Sequence, residues 1–478
     1  MKTMIKTFLM AGCFGLLSLA GVKAQEPIGY VPEKDPAAAQ KLEEWQDWKL
    51  GLIMHWGTYS QWGIVESSSL CPEDEGWTQR SPAGIPYYEY VKKYEALAST
   101  FNPSRFNPER WAKAAKGAGM QYMIFTTKHH DGFCMFDTKQ TDYRVTAANV
   151  PFSKNPRANV TKEVFTAFRN EGIHIGAYYS KPDWHTEYYW WPYFPPKDRN
   201  VNYEIAKYPE RWKQFKDFTY NQIQELMSDY GKVEILWLDG GWVRPLNAHN
   251  KESLSWNKTP AQDQDIDMAG ITKMARQKQP GLIVVDRSVH GPYENYRTPE
   301  QQIPDKPLDY PWETCMTMGA SWSYVPNDVY KPVNTLIHNL VDIVAKGGNY
   351  LLNVGPGPDG EWHDAAYTTM EQLGAWMKTN GDAIYGTRAV APYKDGKVCF
   401  TQKKNNGAIY AIYQLDENEE LPAKISFKGV NVKKGTKLGL LGSKGNLSWK
   451  AAGDQVTVSL PASARKQAFK HAVAIKIG

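Results

Sequence analysis

Carboxylates and histidines fall at the ends of apolar runs in this sequence. Val233-Glu234-Ile235-Leu236-Trp237-Leu238 is a β-favouring stretch that closes on Asp239 and then on Gly240-Gly241. A carboxylate there is costly to bury without partners. Asp-Gly is also an ordinary turn signal, so Asp239 alone reads either as a turn cap or as a reactive carboxylate. Other apolar runs end in the same manner: 50–54 on His55-Trp56, 122–127 on Lys128-His129-His130-Asp131, 174–178 on Tyr179 with Asp183-Trp184 beyond, and 282–285 on Asp286-Arg287.

Two chemistries can use such a set. A metal hydrolase would take His55, His129, His130 and Asp239 as ligands. Against it, the first run offers His-Trp-Gly where a metal-binding barrel usually has an HxH pair, and neighbouring His129 and His130 would project to opposite sides of an extended chain. No metal and no cofactor is expected. Glycoside hydrolysis instead needs two carboxyl groups flanking a sugar, polar groups for its hydroxyls and aromatic surface for its apolar face. The 18 Trp and 28 Tyr are mostly core; Trp56, Trp62, Trp237, Trp242 and Trp322 lie near run ends and are the candidate sugar platforms.

The elements that must position these residues alternate along the chain. Short apolar runs at 50–56, 122–127, 174–179, 233–239, 282–286, 312–316 and 349–354 are separated by helical patterns, several ending in Gly (Gly119, Gly172, Gly231, Gly281). Alternation of this kind predicts an α/β fold with a parallel sheet. Polar residues closing strand after strand favour a (β/α)8-like TIM barrel over an open doubly wound sheet, because a barrel gathers all its strand ends at one mouth. About seven strands are countable, so closure by eight is an inference. Beyond residue 386 the texture changes to short strand-like runs with an Asn406-Gly407 hairpin signal, predicting a C-terminal antiparallel β-sandwich over 386–478.

The chain opens with Lys2 and Lys6, an apolar stretch at 8–20 and Val22-Lys23-Ala24, the pattern of a signal peptide over 1–24. The barrel would then occupy 25–385 and the protein would be exported, to the periplasm or the medium. Three of the charges behind the net +5 are Lys2, Lys6 and Lys23, so the remainder gives no case for nucleic acid or an anionic membrane. No later run approaches a membrane span. Cys71, Cys134, Cys315 and Cys399 lack zinc-site spacing, and their pairing is not legible in the sequence.

Several motifs in order resemble glycoside hydrolase family 29, the retaining α-L-fucosidases. They are Leu52-Ile53-Met54-His55-Trp56-Gly57-Thr58-Tyr59-Ser60 with Phe101-Asn102-Pro103, Thr127-Lys128-His129-His130-Asp131-Gly132-Phe133, Tyr178-Tyr179-Ser180 with Asp183-Trp184, Leu236-Trp237-Leu238-Asp239-Gly240, and Asn349-Tyr350-Leu351-Leu352-Asn353-Val354-Gly355-Pro356 with Asp359-Gly360. The resemblance spans about residues 40 to 385. It implies that Asp239 is the nucleophile, that His55, His129 and His130 donate to sugar hydroxyls, and that Tyr179 and Trp237 line the pocket. It also implies an arginine near the nucleophile, Arg287. Glu66 fits a sugar-binding glutamate, although the family commonly has Ser-Glu-Trp there and this chain carries a longer insert through Pro86. The acid/base sits in a variable loop before a Trp-Glu pair, here Trp312-Glu313. Glu300 is the match by distance, in the style of the broad-specificity branch, and Glu294 the alternative. A retaining pair calls for carboxyl groups about 5–5.5 Å apart. Trp56, Phe133 and Trp322 are candidates for an apolar patch against the C6 methyl of fucose. The substrate implied is a fucosylated glycan. A binding protein on the same scaffold, lacking turnover, is the alternative from a different class; it would keep the histidines and aromatics and lose a carboxylate.

Overall fold

The computed structural model describes residues 29–73, 76–80, 83–248, 262–465 and 469–478; the expected leader lies outside them. Seven strands, β1 (Leu50–Met54), β2 (Tyr122–Lys128), β3 (His174–Ser180), β4 (Ile235–Asp239), β5 (Ile283–Asp286), β6 (Glu313–Thr317) and β7 (Asn349–Val354), form one sheet in the order β5-β4-β3-β2-β1-β7-β6. Every neighbouring pair is parallel. The near-continuous apolar runs follow from this, because strands under crossover helices are buried on both faces. Alternate side chains divide between two cores. Ile53, Ile124, Tyr178, Ile235, Trp237, Val285, Cys315 and Leu351 pack together inside the curl, whereas Leu52, Met54, Met123, Phe125, Tyr179, Leu236, Leu238 and Leu352 join the core under the helices.

A closed eight-stranded barrel is not what forms. The eighth place, between β5 and β6, is filled by an irregular run. Asp286 N donates to Tyr293 O at 2.8 Å and Asn295 N to Val284 O at 2.9 Å on one side; Glu313 N donates to Arg297 O at 2.8 Å and Gln301 N to Cys315 O at 2.9 Å on the other. Pro292 and Pro299 have no N–H for a ladder, so this stretch bridges its neighbours without becoming a regular strand. The helix Pro36–Trp48, capped by Asp35 Oδ1 on Ala37 N and Ala38 N, closes the far end of the curl. Its Trp45 is fully buried and stacks on Tyr296 with ring centroids 4.0 Å apart. Truncating such a ring to alanine costs about 3–5 kcal/mol.

From Thr387 eight strands follow: β8 (Thr387–Asp395), β9 (Val398–Lys403), β10 (Ile409–Gln414), β11 (Lys424–Lys428), β12 (Leu438–Leu440), β13 (Asn446–Ala452), β14 (Gln455–Ser459) and β15 (Ala472–Ile477). They pair antiparallel as one sheet, β11-β14-β13-β12-β15-β10-β9-β8. The sheet folds over its own core, bringing Phe400 on β9 to 5.5 Å from Phe427 on β11, so the sandwich consists of two ends of a single sheet. It is fastened to the barrel by Trp376 Nε1 donating to Ala472 O at 2.8 Å and Arg388 Nη1 donating to Asp47 Oδ1 at 2.6 Å. All four described cysteines are buried and free.

Candidate active site

Asp239 is the last residue of β4, and the chain must turn at once. Gly240 has φ 87°, and a Cβ there would lie 2.2 Å from Pro182 Cδ, so only glycine lets the strand end this way. The carboxylate that this turn presents is fully engaged. Arg287 Nη1 donates to Oδ1 at 3.1 Å, and Tyr178 Oη donates to Oδ2 at 2.7 Å. His130 Nε2 stands 3.8 Å from Oδ2. Burial is the largest single influence and would push the Asp239 carboxyl up, but the Arg287 guanidinium, the adjacent His130 and the Tyr178 hydroxyl together outweigh it and hold the group well below the usual carboxylate range. The arginine comes from just beyond β5, the strand paired with β4, which is why the strand-end neighbour supplies the counter-charge.

The histidines are neutral hydrogen-bonding groups. Burial takes His55 and His130 down to about 4 and His129 well below its ordinary value, more than the Asp239 charge restores. The Asp239 carboxylate is therefore balanced by Arg287 and not by an imidazolium. The tautomer of His55 follows from its neighbours. Asn353 Nδ2 donates to the carbonyl of Trp322 at 2.6 Å, which only accepts, so Asn353 Oδ1 must face His55 Nδ1, 2.7 Å away. Nδ1 carries the proton, and Nε2 of the neutral ring is an acceptor. His129 Nδ1 is hydrogen-bonded to the Ser67 hydroxyl.

The expectation that His129 and His130 point apart fails because β2 ends at Lys128, so neither residue belongs to the strand. Their rings lie 4.3 Å apart and both line the same pocket. Ligand atoms of His129, His130 and Asp239 fall within 4.8 Å of one another. A cation fits this cluster poorly, because both oxygens of Asp239 already accept hydrogen bonds and one of the donors is a guanidinium.

The pocket has a volume of about 880 Å³, and it brings together His55, Glu66, His129, His130, Trp237, Asp239, Arg287, Glu300 and Trp322. Trp237 lies beneath the Arg287 guanidinium, 5.2 Å from it, and stacks on Tyr178. Trp322 flanks His55 with ring centroids 5.3 Å apart. Glu66 is buried, accepts from Ser68 Oγ at 3.2 Å through Oε1, and its Oε2 has no partner among the described residues; burial pushes its carboxyl up to about 8. Glu300 reaches across from the irregular run beside β6 and forms an ion pair with Arg287 Nη2.

Some expected residues lie elsewhere. Tyr179 points under the helices, with its hydroxyl donating to Gln222 Oε1 at 2.8 Å and the Lys128 ammonium 4.4 Å from its ring centroid. Strand alternation puts Tyr178 in the site in its place. Glu294 is buried 2.6 Å from His290 Nδ1, on the side where Val285 pairs with it, and does not line the pocket. Trp56 and Phe133 belong to the core under the helices, and Trp62 packs against it; of the proposed methyl patch, Trp322 alone lines the pocket, and Trp242 joins it as a platform. Sequence reasoning missed Tyr178, Ser67 and Asn353. The period of two in β3, counted back from Ser180 to Tyr178, would have found the first; no signal marked the other two.

Neutral imidazoles around a carboxylate that stays ionised suit a ligand rich in hydroxyls, and on a βα barrel with a second carboxylate opposite that combination defines a glycoside hydrolase. Comparison with known proteins narrows the class. Residues 17–382 match the family model of α-L-fucosidase, and residues 393–478 that of the α-L-fucosidase C-terminal domain. Tissue α-L-fucosidase of Rattus norvegicus is 28% identical over 462 residues, covering 91% of this chain and 90% of that protein. α-L-Fucosidase of Dictyostelium discoideum is 26% identical over 474 residues, covering 95% and 92%. Among solved structures, α-L-fucosidase isoenzyme 1 from Paenibacillus thiaminolyticus aligns with TM-score 0.73 and 28% identity over 92% of this chain and 99% of that one. Thermotoga maritima α-fucosidase, in complex with fucose, aligns with TM-score 0.70 and 27% identity over 91% and 96%. The chain belongs to the α-L-fucosidase family.

Proposed function

We propose that this protein removes terminal α-L-fucosyl residues from glycans by double displacement, with Asp239 as nucleophile and Glu300 as acid/base. The observation that carries the assignment is the Arg287 guanidinium, which pairs with both carboxylates across one pocket. In the first step Asp239 attacks the anomeric carbon, the bond from that carbon to the leaving oxygen breaks, and the Glu300 proton goes to that oxygen. In the second, water attacks the same carbon, its proton passes to Glu300, and the bond to Asp239 breaks. Two inversions return the α configuration.

To donate a proton, Glu300 has to give up its ion pair with Arg287. Substrate entering the pocket separates the two, leaving the guanidinium to Asp239. His55, His129, His130 and Glu66 then meet the sugar hydroxyls, and Trp237 and Trp322 its apolar surface. A methyl against such a surface contributes about 1–3 kcal/mol, enough to favour fucose over galactose without excluding galactose. The presence of both carboxylates in one pocket disfavours a binding-only protein. Placing the chain in the broad-specificity branch and exporting it through residues 1–24 belong to the same proposal; the leader pattern supports the latter, and among the described residues no helix is long and apolar enough to cross a membrane.

Azide separates the two roles. With an aryl α-L-fucoside, Glu300→Ala rescued by azide gives α-L-fucosyl azide, because the azide replaces water in the second step. Asp239→Gly gives the β-azide by a single inversion. The same anomer from both variants overturns the assignment.

A further inference from the structure

The wall beside Asp239 continues outward to Val65 and Trp77, in the stretch where the resemblance pointed to a longer insert. His130 meets Trp242 edge-on, with ring centroids 5.1 Å apart. Arg199 lies 5.5 Å from the Trp242 ring and 4.4 Å from that of Trp77. Its guanidinium is fixed by Glu73, with Nε 3.1 and 3.0 Å from the two carboxylate oxygens. Trp77 is thus clamped by a cation–π contact, yet it remains 39% exposed. Val65, from the same insert, is 43% exposed. Both line the pocket that holds Asp239. Its volume lies toward the top of the roughly 300–1,000 Å³ range of small-molecule sites, more than one pyranose ring needs. The rim cations are matched: Arg199 pairs with Glu73, and Arg297 Nε stands 3.8 Å from a Glu294 oxygen.

We propose that Trp77 and Val65 form a second subsite for the sugar that carries the fucose, stacking its apolar C–H face on the indole. Matched rim charges suit a neutral hexopyranose and not an acidic one. Apolar side chains left open at a pocket mouth are the expected form of such a surface. The inference rests on the fucosidase reading of the Asp239 site.

The test compares kcat/KM for α-L-fucosyl fluoride, whose leaving group is a single atom, with that for a fucosyl-lactose, in the wild type, Trp77→Ala and Trp77→Phe. Trp77→Ala is expected to lose about tenfold more on the fucosyl-lactose than on the fluoride, a difference of ~1.4 kcal/mol, and Trp77→Phe is expected to restore most of it. Equal losses on both substrates, or no loss on either, overturn the subsite and leave the catalytic assignment standing. A wild type that fails to turn over the fluoride overturns both.

Discussion

Asn353 fixes the tautomer of His55. Its amide nitrogen donates to the Trp322 carbonyl, so its oxygen accepts a hydrogen bond from the protonated Nδ1 of the ring. The resemblance implied that His55 donates to the sugar; the neutral ring instead accepts at Nε2. A series of monodeoxy and monofluoro fucosides checks this. At the hydroxyl that meets His55, fluorine, which cannot donate, should cost as much in kcat/KM as hydrogen does. Fluorine preserving activity at every position contradicts it. Asn353→Leu should lower kcat/KM about 10- to 100-fold, as loss of a partner that orients a histidine does at other sites.

Arg287 sets the acid side of the pH profile. Asp239 is buried, and burial raises its pKa; the guanidinium is the main opposing charge. Arg287→Met should therefore move the acid limb of kcat/KM upward and lower kcat by about 10²–10³-fold, the scale for removing a preorganised electrostatic partner. A pH–rate profile with an unmoved acid limb would count against this role.

Glu66 should set a basic limb. Burial places its carboxyl at about 8 in the free protein, so it is neutral at pH 7 and ionises above about 8, adding negative charge beside Asp239 and Glu300. kcat/KM, which reports the free enzyme, should fall through that range, and Glu66→Gln should abolish this limb. Persistence of the limb in the variant assigns it to another group.

Lys49 carries a stability cost away from the site. It precedes β1 with φ 60°, is fully buried, and its Nζ has no partner among the described residues. Burial lowers its pKa to about 7, with Arg388 adding to the effect. Unfolded, the lysine binds a proton up to about 10.4, so between about 7 and 10.4 the unfolded chain holds more protons and stability rises with pH. Lys49→Met should raise Tm at neutral pH and flatten that rise. Thermal melts from about pH 6 to 9 check both; a lower Tm for the variant would contradict it.

Much of the fold was legible because buried parallel strands write themselves as apolar runs: residues 349–354 form a strand where the pattern put one. The strand ends placed Asp239, His55 and Arg287 at one mouth for the same reason. The run at 292–301 was not legible as part of the sheet, since Pro292 and Pro299 cannot donate to a ladder and so interrupt the pattern that marks strands. Tyr179 was misplaced by one residue, and a shift of one reverses the face. Ser67 and Asn353 act through side-chain hydrogen bonds to residues distant in sequence, which no local spacing records.

The central claim is that Asp239 becomes covalently bonded to the sugar. Incubation with 2-deoxy-2-fluoro-α-L-fucosyl fluoride should trap that ester, since the 2-fluorine slows its hydrolysis. Peptide mapping by mass spectrometry should then find one fluorofucosyl group per chain, on Asp239. A label on Glu300, Glu66 or any other carboxylate, or no label while the fluoride is being consumed, would contradict the account.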